Sequence, residues 1–246
     1  NNNNNEIKIV HSVSMISEEE GCGVRGTETD FSIFFFFLLQ QINIRESITQ
    51  QIALIKNDEK ILFTDLNKLS NKLARGMIKR LPVNNTQIGN VDGDIIISVC
   101  MKPSIDLIVT LLAIWKMGAA YLPLDVDFPK NRIKHILDES KPVMTITDVS
   151  GEFDASTNIL EVSLKLLSLS FLDVGDEFTS MTKYSELKNF SSNFPDNNLS
   201  DVEMIKPNTS KNEYIGAVLY TSGSTGIPKG ILSLLSHQGN DNNKQL

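Results

Sequence analysis

A glycine-rich segment at residues 221–230, Thr-Ser-Gly-Ser-Thr-Gly-Ile-Pro-Lys-Gly, limits the possible folds more than any other part of this 246-residue chain. It follows an apolar run at 217–220 that predicts a strand. Its glycines permit backbone conformations that other residues avoid, so several amide groups can converge on an anion. Its hydroxyl groups and the ammonium group of Lys229 add further partners for phosphate oxygens. The order strand, glycine loop and lysine therefore predicts a polyphosphate-binding loop at the ligand-binding edge of a parallel sheet.

The segment is not a Walker A loop, which requires Gly, four residues and then Gly-Lys-Ser/Thr. Here Lys229 follows Pro228 and precedes Gly230. A flexible Ser/Gly linker is the alternative interpretation of such a stretch.

Strands and helices alternate in the middle of the chain. The apolar runs at 95–100, 119–124 and 143–147 predict three buried strands. The first intervening helix is predicted to begin after Ser104 and to end at Gly118, and the second to begin at Pro129. This succession predicts an α/β fold with a mainly parallel sheet flanked by helices.

A hairpin and a helix are predicted upstream of these strands. The apolar runs at 52–55 and 60–63 flank a Lys-Asn-Asp-Glu turn. We expect Thr64 to cap a helix over 65–80, because an apolar stripe recurs there at helical spacing: Leu66, Leu69, Leu73 and Met77.

The ends of the chain lack such patterns. Residues 1–40 predict a disordered tail or an artefact of the gene model, since the run at 33–39 is rich in consecutive Phe, like a translated pyrimidine tract. That run is also too short to span a membrane, which requires about 20 apolar residues. The folded domain is predicted over 41–235, although 150–213 fits neither helix nor strand clearly, and 236–246 predicts a disordered tail.

Composition disfavours several functional classes. With 23 Lys and Arg against 30 Asp and Glu, the net charge of −7 disfavours nucleic acid and anionic membranes as partners. Two distant cysteines, Cys22 and Cys100, provide neither a disulfide framework nor a metal-ligand set, which favours a cytoplasmic location. We expect Cys100 and Trp115 in the core and His135 in solvent.

Three segments resemble core motifs of a known family. The sequence YTSGSTGIPKG resembles the phosphate-binding motif of the adenylate-forming (AMP-binding) superfamily. The sequences ILFTDLNKLSNKLARGM and IWKMGAAYLPLDVDFPKNRI resemble the first two core motifs of nonribosomal peptide synthetase-type adenylation domains. Over 42–148 and 213–231 the chain is most similar to insect β-alanyl amine synthases. At average residue usage, the probability that the phosphate motif arises by chance is on the order of 10⁻¹⁰ per window. This low probability disfavours the linker interpretation.

The resemblance implies an ATP-dependent ligase that uses Mg²⁺. Such an enzyme activates a carboxylate, here an amino acid such as β-alanine, as an acyl adenylate. The acyl group then passes to the phosphopantetheine thiol of a carrier domain and on to an amine. Lys229 would be the catalytic residue that stabilises phosphate charge. The resemblance assigns the ATP phosphate contacts to Thr221, Ser222, Gly223, Ser224, Thr225, Gly226, Lys229 and Gly230.

The chain departs from the family pattern after Ile231. The histidine that such domains place soon after the motif is displaced, since His237 lies seven residues beyond Gly230. The acyl-substrate pocket and the C-terminal domain of the family have no counterpart before Leu246. We therefore expect an N-terminal fragment that is inactive and poorly soluble alone. The alternatives are a non-catalytic remnant that binds at most polyphosphate, and a fragment of an acyl-CoA synthetase.

Overall fold

The computed structural model of the protein describes residues 7–9, 50–81, 95–125, 128–148, 180–205, 213–221 and 229–236. Four helices lie within these ranges: α1 (Phe63–Arg80), α2 (Ile105–Lys116), α3 (Lys130–Ser140) and α4 (Tyr184–Ser191). The strands are β1 (Ile7–Ile9), β2 (Ile52–Lys56), β3 (Glu59–Leu62), β4 (Ile96–Cys100), β5 (Ala120–Pro123), β6 (Met144–Thr147), β7 (Ser180–Lys183), β8 (Glu213–Thr221) and β9 (Lys229–Ser236).

The strands form two sheets. The larger has six strands in the order β7-β6-β4-β5-β8-β9. Strands β4 to β8 run parallel, whereas β9 returns antiparallel to β8. The predicted mainly parallel α/β sheet is thus confirmed. The smaller sheet, β1-β2-β3, contains the predicted hairpin together with a strand at 7–9 that the sequence pattern did not predict.

Helices cover both faces of the larger sheet. One face carries α1 and α2, and its core includes Ile97 and Val99 of β4. The opposite face carries α3, and its core includes Ile96 and Cys100 of the same strand. This alternation follows from the period of two in a strand, which points successive side chains to opposite faces. The flanking helices therefore hold the parallel strands as the middle layer.

The predicted start and end of α2 are confirmed. Ser104 accepts a hydrogen bond on Oγ from the amide of Leu107 at 3.0 Å. Gly118 has φ +87°, a left-handed conformation that an L side chain disfavours. Trp115 is buried, as predicted, and its Nε1 donates to the carbonyl oxygen of Gly216 at 2.7 Å. This bond ties α2 directly to β8.

The predicted start of α1 was wrong. The helix begins at Phe63, and Leu62 occupies the capping position, so Thr64 lies in the first turn and does not cap it. Strand β3 continues directly into the helix, and the amide of Phe63 donates to the carbonyl oxygen of Gln51 at 3.0 Å. Leu69 of the predicted stripe is 39% exposed. The other three members of the stripe are buried: Leu66, Leu73 and Met77.

Helix α3 begins one residue later than predicted, at Lys130, with Pro129 in the capping position. It ends at Ser140, and the next residue, Lys141, has a left-handed φ of 47° that turns the chain toward β6. His135 on this helix is 39% exposed and lies 3.4 Å from a carboxylate oxygen of Glu139.

A buried arginine fixes the chain that follows α4 against α1. Arg75 donates to the carbonyl oxygens of Pro195, Asn197 and Asn198 at 2.9, 2.7 and 3.2 Å. It also pairs with both carboxylate oxygens of Glu203, at 2.8 and 3.1 Å. One guanidinium therefore satisfies several polar groups of an irregular segment.

No helix within the described ranges is long and apolar enough to cross a bilayer.

Candidate phosphate-binding site

The candidate site lies at the carboxyl edge of the parallel strands. Strand β8 enters the sheet beside β5, with Ala217 opposite Tyr121. Because β4 to β8 run in one direction, Thr221 at the end of β8 lies on the edge where the other parallel strands also end. Ligands of open α/β sheets bind at this edge. The fold thus places the start of the glycine-rich segment where phosphate chemistry is expected.

The two described ends of the segment meet. Thr221 and Lys229 are paired residues of the antiparallel β8–β9 ladder, so their Cα atoms lie about 4.5–5.5 Å apart. The sequence pattern predicted the strand before the segment but not the antiparallel strand after it. Five predicted phosphate contacts lie outside the described residues, and their roles stay predictions: Ser222, Gly223, Ser224, Thr225 and Gly226.

Gly230 has a packing role that the sequence did not reveal. It pairs with Tyr220 across the hairpin. A Cβ atom at Gly230 would lie 3.3 Å from Cζ and 3.5 Å from the hydroxyl oxygen of Tyr220. The tyrosine ring therefore lies against the exposed glycine and would have to shift by a few tenths of an ångström to admit a Cβ atom. Burial, followed by the charge of Glu139, raises the pKa of Tyr220 from 10.0 to about 12.

Arg132 reaches the end of β8 from α3. Its Nη2 donates to the carbonyl oxygen of Tyr220 at 3.4 Å. Its guanidinium carbon lies 4.0 Å from the centre of the Phe128 ring. Its Nε is buried and has no hydrogen-bond partner among the described residues. Arg132 belongs to the second family-like motif, but its role was not predicted. The one sequence signal was an aromatic residue four positions earlier, Phe128.

The same sheet edge carries acidic groups. Asp125 follows β5, and Asp148 follows β6 and accepts a hydrogen bond from the amide of Lys102 at 3.1 Å. Burial first, and then the charges of Asp148 and Asp125, raise the pKa of the Cys100 thiol to about 12. Cys100 is therefore a protonated core thiol, as predicted, and not a nucleophile. Within the described ranges, no three His, Cys, Asp or Glu side chains are grouped so as to hold a metal ion.

The sequence identities to two curated proteins support the resemblance to adenylation domains. The chain is 39% identical over 172 residues to the β-alanyl-bioamine nonribosomal peptide synthetase ebony of Drosophila melanogaster. The aligned region covers 69% of this chain and 16% of the relative. It is 28% identical over 244 residues to gramicidin S synthase 2 of Aneurinibacillus migulanus, covering 96% of this chain and 4% of the synthetase. The chain therefore spans a small part of the relatives that it matches.

A solved structure has the same fold. The N-terminal subdomain of Klebsiella oxytoca NpsA, in complex with 3-hydroxybenzoyl-AMSN, superposes with a TM-score of 0.54 at 18% identity, covering 80% of this chain and 40% of that chain. This agreement confirms the predicted α/β fold with a mainly parallel sheet flanked by helices. The family model of AMP-binding enzymes matches residues 44–240, and the chain belongs to that family.

Proposed function

We propose that this chain is the part of an adenylate-forming ligase that binds the phosphates of ATP. One observation carries the proposal: Thr221 and Lys229 pair at the carboxyl edge of the sheet and bracket the glycine-rich tract. The side chain of Lys229 is exposed there. A cation held at the neck of a glycine loop is well placed to meet a polyphosphate.

The reaction that we propose is acyl adenylate formation. A carboxylate oxygen attacks the α-phosphorus of ATP, the bond from that phosphorus to the bridging oxygen breaks, and pyrophosphate leaves. Lys229 would stabilise the negative charge that develops on the leaving phosphates. It would act as an electrostatic stabiliser and not as a general base. The predicted contacts that would share this role are Thr221, Ser222, Gly223, Ser224, Thr225, Gly226 and Gly230.

Mg²⁺ belongs to the proposal as the partner of the ATP phosphates. It would enter as the MgATP complex and neutralise charge on the leaving pyrophosphate. Transfer of the acyl group to a phosphopantetheine thiol on a carrier domain, and then to an amine, is proposed for a longer form of the protein. The identity to ebony supports β-alanine as the carboxylate.

Binding measurements on the purified chain test the phosphate role. Isothermal titration calorimetry would compare MgATP binding to the wild type, Lys229→Ala and Lys68→Ala. Lys68 is an exposed lysine on α1, so it is a matched control for loss of one charge. Loss of a charge-assisted phosphate contact should weaken binding by about tenfold or more in the Lys229 variant only. Equal affinities for all three proteins would contradict the proposal.

A second assay tests the reaction. ATP–pyrophosphate exchange that depends on β-alanine would support carboxylate activation. Exchange that depends on a fatty acid instead would favour the acyl-CoA synthetase alternative. Because we expect this chain alone to be inactive, the exchange assay uses a longer form of the protein that carries an acyl-substrate pocket. In that longer form, phosphate binding without exchange for any carboxylate would favour the polyphosphate-binding remnant.

A further inference from the structure

We propose that Arg132 is a positioning residue that holds the carboxyl end of β8 and thereby orients the start of the phosphate-binding segment. The inference rests on the proposed function, because it gives this arginine a role in the same site. Arg132 lies on helix α3, whereas the described residues of the phosphate-binding motif belong to strands β8 and β9.

The first step is the placement of the guanidinium. Arg132 donates to the carbonyl oxygen of Tyr220, and Tyr220 immediately precedes Thr221, where the segment leaves the sheet. Helix α3 is fixed to this face of the sheet by the buried side chains of Ile133 and Ile136. The arginine therefore connects a rigidly packed helix to the last residues of the strand.

The second step is the orientation of the guanidinium. The Phe128 ring lies 4.0 Å from its central carbon, which favours one plane for the group. A planar guanidinium that is held on an aromatic ring loses little additional freedom when it donates a hydrogen bond. The bond to Tyr220 is consequently one of fixed direction, unlike a bond from a lysine on a flexible stem.

The third step concerns what the strand end controls. Tyr220 and Gly230 pair across the hairpin, and the next pair is Thr221 with Lys229. A shift at the carbonyl of Tyr220 would thus move both ends of the segment together. Small displacements of groups that contact a ligand reduce affinity strongly, because the contacts depend on distance and angle. The geometry therefore gives Arg132 influence over phosphate binding without requiring it to touch the phosphate.

Calorimetry and thermal unfolding of four proteins separate positioning from simple packing. The proteins are the wild-type chain, Arg132→Met, Arg132→Lys and the matched control Arg80→Met. Arg80 also lies over a phenylalanine ring, that of Phe190 at 4.8 Å, but at the end of α1. Arg132→Met should weaken MgATP binding by about fivefold or more, Arg132→Lys should restore part of it, and Arg80→Met should leave it unchanged. Equal Kd values for the Arg132→Met and Arg80→Met variants would overturn the proposal.

Backbone amide chemical shifts provide a readout that does not need ATP. In ¹⁵N spectra, Arg132→Met should shift the amides of Thr221 and Gly230, whereas Arg80→Met should not. If the wild type fails to bind MgATP, the proposed function fails, and these shifts still decide whether Arg132 holds the strand end. If the wild type binds and Lys229→Ala weakens binding while both Arg132 variants match the wild type in Kd and shifts, only the role of Arg132 is refuted.

Discussion

Thr221 and Lys229 lie opposite each other in the β8–β9 ladder, with seven residues of chain between them. The pairing brings the hydroxyl-bearing and the cationic end of the glycine-rich segment to one point of the sheet edge. Closing a short connection between paired strands has a small entropic cost. The antiparallel return of β9 therefore contributes to the candidate site as well as to the sheet.

The Tyr220–Gly230 pair leads to a first prediction. Gly230→Val should destabilise the chain by up to about 1 kcal/mol, because the tyrosine ring must shift to admit the new side chain. In a Tyr220→Ala background the same valine should cost less, since the obstructing ring is gone.

Urea unfolding of the wild type, the two single variants and the double variant measures the coupling between the two positions. Ile231→Val on the same exposed strand is the control, with an expected effect within about 0.5 kcal/mol. A cost for Gly230→Val that is the same in both backgrounds would contradict the packing role of the ring.

The sequence predicted those parts of the fold that depend on neighbouring residues. Apolar strands, the Ser104 cap and the Gly118 terminus are local patterns, and all three are present. The return strand β9 was missed because the run at 231–236 has no clear period, and its assignment depends on pairing with β8. Thr64 was predicted as a cap from its residue type alone, although a strand leads directly into the helix there.

The polar contacts of the fold could not be predicted for a different reason. Arg75 bonds to carbonyl groups about 120 residues further along the chain, and nothing local in the sequence signals those partners. The bond from Arg132 to Tyr220 likewise joins a helix to a strand 88 residues later. Only tertiary packing of the helices on the sheet brings such groups together.

The Arg75–Glu203 pair predicts a loss of stability in acid. The hydrogen bond from Arg75, followed by bonds from Ser200, lowers the pKa of Glu203 to about 2. The unfolded chain binds this proton near the ordinary value of 4.5, so the pair stabilises the folded state above that pH. This stabilisation should be lost as the pH falls from about 4.5 to about 2.

Denaturant unfolding across that pH range checks this prediction. Glu203→Gln should show a smaller decrease in the free energy of unfolding than the wild type, because it removes the titrating carboxylate. Glu186→Gln is a matched control, since Glu186 is exposed on α4. A variant at Glu203 with the pH dependence of the wild type would show that the pair does not couple to folding.

Lys116 predicts a rise of stability with pH as well, but in the neutral to alkaline range. Its ammonium group donates to the side-chain oxygens of Asn67 and Asn71, the latter at 2.7 Å. Burial, and then the charge of Arg75, lowers the pKa of Lys116 from 10.5 to about 7. Between these values the unfolded chain binds more protons than the folded chain, so stability contributed by this group should rise with pH.

The measurement is the difference in the free energy of unfolding between the wild type and Lys116→Met. From about pH 6.5 to about pH 9 the wild type should gain stability relative to the variant. Lys68→Met, which removes an exposed lysine from α1, is the control and should show no such trend. A constant difference between wild type and Lys116→Met would mean that Lys116 stays charged in the folded state.

Strand β9 predicts self-association of the isolated chain. Ile231 and Leu232 are 52% and 54% exposed. They are successive residues of a strand, so they point to opposite faces of the sheet. In the described part of the sheet β9 is an edge strand, paired with β8 alone. An apolar edge with free backbone groups is a template for strand addition.

Ile231→Lys combined with Leu232→Lys should therefore raise the concentration at which light scattering detects aggregates. Val202→Lys, at an exposed apolar residue outside any strand, is the control and should leave that concentration unchanged. A wild-type chain that stays monomeric at every concentration tested would show that this edge does not drive association.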